Sequence, residues 1–150
     1  MTRRRDKTQM AADVSIALSS KLSDTAKFIV MKNVIWEWSL NDRKKPDCQI
    51  VSAGVDKLAQ GFDLKDVRGG WTFEHIVPIC VIQNLLAKTA DVSKQRGILE
   101  KYAIACLVTK DEDALLREHG LTNSMPRTWR NGDDEFARYR QVGIEWVKRE

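Results

Sequence analysis

A chain of 150 residues fits one domain, and its size argues against a second independent core. An apolar fraction of 43% and a charged fraction of 31% are those of an ordinary globular protein, which sets aside fibrous and low-complexity classes. The formal net charge of +4 is compatible with a polyanionic partner but does not require one.

No apolar run approaches the roughly 18 to 20 residues that a membrane-spanning helix needs. The basic start, Met1-Thr2-Arg3-Arg4-Arg5, is not followed by the apolar stretch of a secretory signal. The cysteines, Cys48, Cys80 and Cys106, are odd in number and widely spaced. They fit buried thiols in a reducing compartment better than a zinc ribbon or a disulfide scaffold. The expectation is a cytoplasmic protein without membrane contact.

Residues 1–8 read as a basic, flexible arm, and residues 9–150 as one globular domain. Residues 9–22 place Ala12, Ile16, Leu18 and Leu22 at helical spacing. Ser23 then offers an N-cap, with Asp24 in the first turn of a helix to about Leu40. Phe28, Met31, Val34, Ile35 and Trp38 form its apolar stripe. Trp36 and Trp38 cannot share a side, and Trp36 is placed at the rim. Residues 41–47 read as a loop, 48–60 as a short helix and 61–70 as turns. Trp71 to Val77 reads as extended, Ile79 to Lys88 and Val92 to Tyr102 as helices, and 103–108 as a buried strand. Thr109 and Glu112 form a capping box that opens a helix ending at Gly120. A loop over 121–133 leads to a last helix, capped by Asp133 or Asp134 and stopped by Gly143. A strand over 144–147 closes the chain. The expected fold class is α+β, mainly helical with two or three short strands, in a single compact domain.

The residues with the clearest chemistry are Glu74 and His75, at the end of the extended segment before Pro78. An acid can hold a divalent cation, and an imidazole can deprotonate a water. The stretch Glu74-His75-Ile76-Val77-Pro78, with Leu107-Val108-Thr109-Lys110-Asp111-Glu112-Asp113 further on, resembles two motifs of the HNH, or ββα-metal, endonucleases. They cover about a tenth of the chain. The resemblance implies His75 as general base, with Glu74 and Asp113 as ligands to Mg²⁺ or Mn²⁺. Asp113 stands where the family pattern has a histidine, and a carboxylate is an acceptable oxygen ligand for those ions. Ile104 stands where the pattern has an asparagine that holds the loop orienting the histidine. His75 therefore needs another partner.

Two basic clusters are candidates for phosphate contact. One is Arg43-Lys44-Lys45 in the first loop. The other is Arg127, Trp129 and Arg130, where arginine can meet phosphate and a base can stack on the ring. Arg138 and Arg140 are expected to enlarge that second surface. A solvated loop and a core-pinning tryptophan are the plainer readings of these clusters. His119, before Gly120, suits a helix C-terminus. No phosphate-binding, dinucleotide-binding or nucleophile-elbow glycine motif occurs.

The expected function is action on nucleic acid, either as a metal-dependent HNH-like nuclease or as a decayed form that only binds, with phage–host conflict as the setting. Without enzymatic activity no cofactor is expected. The rival is a non-enzymatic interaction protein of the inhibitor or immunity type, since tryptophan and arginine also anchor protein interfaces.

Overall fold

The computed structural model describes residues 6–60, 63–64 and 69–149. Most of the expected basic arm and much of the 61–70 turn region lie outside them. Among the described residues, seven α-helices surround a four-stranded sheet. The molecule is a compact, mainly helical α+β fold.

Helix α1 spans Lys7–Ser19, with Asp6 as its N-cap accepting from the Gln9 amide. The expected arm therefore loses its last residues to this helix. Its C-terminus comes earlier than residue 22, because Ser20 turns its hydroxyl onto the Ala17 carbonyl. Helix α2 spans Asp24–Leu40 behind the Ser23 cap and buries Met31, Val34, Ile35 and Trp38. It stops where Asn41 takes the left-handed conformation. A short 3₁₀ turn, Lys45–Asp47, leads to strand β1, Ile50–Ser52. Helix α3, Ala53–Leu58, follows directly, capped by Ser52. The single helix expected over 48–60 is thus a strand and a helix.

Strand β2 spans Trp71–His75, and helices α4 (Ile79–Ala87) and α5 (Val92–Tyr102) follow. Strand β3, Ala105–Thr109, then runs straight into α6, Lys110–Glu118, through the complete Thr109–Glu112 capping box. Helix α7 spans Ala137–Val142 and ends at Gly143, with φ +79. Strand β4 is Trp146–Lys148.

The sheet order is β2-β3-β1-β4. Strands β2 and β3 are antiparallel, with Phe73 opposite Leu107, Glu74 opposite Cys106 and His75 opposite Ala105. Strand β1 runs parallel to β3 and antiparallel to β4. The β2–β3 pair and α6 therefore make a ββα unit, with α4 and α5 inserted between its strands. The main core joins α2, α4, α5 and α7 to Cys106 and Val108, while Leu107 packs with Val51, Val55 and Leu64 in a smaller cluster. No helix of the described residues is long and apolar enough to cross a membrane.

Candidate functional site

Strand β2 delivers Glu74 and His75 at its end. Successive side chains of a strand point opposite ways, so Glu74 reaches α7 while His75 reaches α2. The turn after His75 is held by the Ile76 amide donating to the Ile104 carbonyl at 3.0 Å. Ile104 thus ties the turn through its backbone. The partner that orients the imidazole is Ser39, whose Oγ lies 2.9 Å from His75 Nε2. Trp36 and Phe73 set their rings edge-on to His75, at centroid distances of 4.7 and 5.5 Å.

His75 is only 7% exposed. Burial, helped by the Arg138 and Lys45 charges, pulls its pKa from 6.5 to about 4. The imidazole is therefore neutral at pH 7. Ser39 Oγ also approaches the Trp36 carbonyl, at 2.9 Å. A hydroxyl has one proton to give. If it goes to Trp36, His75 donates from Nε2 and keeps its lone pair on Nδ1. If it goes to His75, the ring hydrogen sits on Nδ1.

Glu74 is held from both sides. Arg138 donates to its Oε1 and Tyr139 to its Oε2. The same guanidinium donates to the carbonyls of His75, Ile76 and Leu121. Arg138 is fully buried, so the expectation that it enlarges a basic surface is corrected: it is an internal clamp that ties α7 to the end of β2. Arg140 is exposed but paired with Asp134. Burial pushes the Glu74 carboxyl above its ordinary value, while Arg138 and Tyr139 pull it down. Tyr139 is raised well above 10 by burial, with the Glu74 charge adding to the effect.

Asp113 lies in the first turn of α6 and pairs with Arg117 at 3.2 Å. A cleft of about 400 Å³ gathers Glu74, His75 and Asp113, with Lys32, Gln83 and Asn123 on its other walls. The three residues named from the two motifs thus line one cleft. Both Glu74 oxygens accept hydrogen bonds from α7, and Asp113 Oδ2 accepts one from Arg117. Among the described residues, no group of three or more histidines, cysteines and carboxylates is arranged to hold a metal ion.

The basic residues fall into two places. Arg43 and Lys44 line a cavity of about 160 Å³ with Lys7, Ser39 and Phe73. Lys45 places its Nζ 5.1 Å from the Trp36 ring and 5.6 Å from that of Phe73. Trp36 and Phe73 stack at 5.1 Å and 15°. Trp129 and Arg130 line a separate groove beside α5, and Arg127 is exposed on the same loop. Trp129 is packed against the core and donates its indole N–H to the Asp134 carbonyl at 2.9 Å. His119 caps α6, its Nδ1 2.9 Å from the Leu115 carbonyl.

Ser39, Phe73 and Tyr139 do not stand out in the sequence as site residues. Ser39 is one polar position among many on α2, and only tertiary packing brings it to His75 over 36 residues. Compared with protein-family models, curated proteins and solved structures, the chain matches none.

Proposed function

We propose that the protein binds nucleic acid across the His75 cleft and the adjoining Arg43–Lys45 loop. The carrying observation is the ring cluster of Trp36, Phe73 and His75, capped by Lys45. It brings three features of the sequence together: a basic loop, a stacked aromatic pair and the Glu74-His75 strand end, whose imidazole is buried. Arg43, Lys44 and Lys45 supply charge for phosphates, and the rings supply faces for bases. The Arg138 clamp supplies rigidity beneath them. Titration of labelled single- and double-stranded oligonucleotides at two salt concentrations tests the reading. Affinity should fall steeply with salt. Absence of binding at low salt would refute it and leave the protein-binding rival.

A second reading, phosphodiester hydrolysis, has one observation in its favour. The cleft collects Glu74, His75 and Asp113 from β2 and α6 of a ββα unit, and His75 is uncharged and able to accept a proton. The test is a cleavage assay with Mg²⁺ or Mn²⁺ beside His75→Ala. Removal of a general base lowers the rate by about 10² to 10⁴. Intact DNA and RNA after incubation with wild-type protein in either metal would eliminate hydrolysis and leave binding.

A further inference from the structure

We infer that the groove between α4 and α5 holds the unpaired bases of a single-stranded nucleic acid, with its phosphates on the groove's lysine rim. This rests on the nucleic-acid reading and adds a second contact to it. The groove encloses about 940 Å³. Its charged lining is Lys88, Lys94, Lys101 and Arg130, with no carboxylate among the lining residues. The whole chain carries 25 basic residues against 21 acidic ones. Four cations without an acid are therefore a local segregation of charge, not the average surface. Among the described residues, Lys101 is the one of the four with a carboxylate partner, Glu135 at 3.6 Å, which is outside the groove lining.

The floor is apolar, carried by Leu85 and Ile98, and Trp129 forms one wall. Two contacts set the plane of the indole: the bond to the Asp134 carbonyl, and an edge-on meeting with Tyr102 at 5.4 Å. Gly97 keeps the floor open. It lies within α5, and a Cβ added there would meet nothing within 4 Å. A glycine inside a helix is less favourable than an alanine there, so the space it leaves comes at the expense of stability.

A duplex offers this groove phosphates but keeps its bases stacked inside. A single strand offers phosphates and apolar base faces together, which matches a cationic rim over an apolar floor and a ring. Helix α4 lines both the groove and the His75 cleft, with different sides. Cys80 and Gln83 of α4 line the cleft, while Leu85 and Lys88 of the same helix line the groove. The loop after α6 gives Asn123 to the cleft and Trp129 to the groove.

The test measures three labelled probes by anisotropy at low salt: an oligothymidylate, an abasic strand of equal length and a duplex. The proteins are wild type, Gly97→Leu and Lys94→Glu, each checked for folding by circular dichroism. Wild type should bind oligothymidylate roughly fivefold or more tighter than the abasic strand, which has the same phosphates. Gly97→Leu, which fills the floor, should reduce that preference. Lys94→Glu should weaken both single strands. A Gly97→Leu protein with unchanged preference overturns the groove and leaves binding at the His75 cleft standing, whereas equal wild-type affinity for the thymidylate and abasic strands overturns base contact at the groove and at the Trp36–Phe73 rings alike. Loss of all nucleic-acid binding overturns both.

Discussion

At the scale of single residues, the site depends on two buried polar groups with different roles. Arg138 is a buried cation whose carboxylate partner is Glu74. Replacing one member of such a pair strands the other, and breaking a buried ion pair typically costs about 3–5 kcal/mol. Arg138→Leu should therefore lower stability by that order in urea denaturation, with Glu74→Leu/Arg138→Leu less unstable than the sum of the two single changes. An Arg138→Leu protein within about 1 kcal/mol of wild type would show that the clamp is dispensable. His75 governs acid behaviour. Its pKa falls from 6.5 to about 4 on folding, so the unfolded chain takes up the proton first as pH drops. The contribution is complete above pH 6.5 and is lost between 6.5 and 4. At about 1.4 kcal/mol per unit it is at most about 3 to 4 kcal/mol. His75→Gln should flatten the stability curve over that window. An unchanged slope in denaturation midpoints from pH 7 to 4 would mean that His75 titrates normally.

At the scale of elements, most helix caps were legible and the strand pairing was not; the exception is α7, which starts behind Phe136 with no side-chain cap instead of at Asp133 or Asp134. Ser23, Thr109 with Glu112, and Gly143 act over three or four residues of chain, so local sequence carries them. Thr109→Ala should cost about 1 kcal/mol in thermal or chemical denaturation. Glu112→Ala should cost more. Its Oε1 accepts from the Thr109 amide and also from Ser52 Oγ, which caps α3. One carboxylate thus joins the starts of two helices, and a loss no larger than that of Thr109→Ala would count against this coupling. Strand β1 was hidden inside a helical reading because it has three residues, too few to establish an alternation. It exists because Val51 lies against Leu107. The site was partly legible for the same reason. Glu74, His75 and Asp113 lie in short motifs, whereas Ser39, Arg138 and Tyr139 reach the site over separations of 36 to 65 residues. Arg138 illustrates the limit. An arginine on a terminal helix reads as surface, and only the fold supplies the carboxylate and carbonyls that let it be buried.

At the scale of the whole molecule, a modest net charge of +4 is less informative than its distribution. Cations collect at the Arg43–Lys45 loop by the His75 cleft and, separately, along the α4–α5 groove. Each phosphate neutralised by a lysine or arginine releases counterions, so the number of contacts appears as the slope of log affinity against log salt. Neutralising the loop as Arg43→Ala/Lys44→Ala/Lys45→Ala should lower affinity for all sequences alike and flatten that slope by roughly one unit per lost contact, up to about three. These residues lie on an exposed turn outside both core clusters, so the melting temperature should hardly move. Trp36→Ala is the contrasting change. It removes a ring that stacks on Phe73 and supports Lys45, with no formal charge lost. It should weaken single-strand binding by roughly 1 to 3 kcal/mol if a base stacks there, and leave the salt slope as in wild type. A triple variant that binds with the wild-type slope would place the phosphate contacts elsewhere and withdraw the loop from the proposed surface.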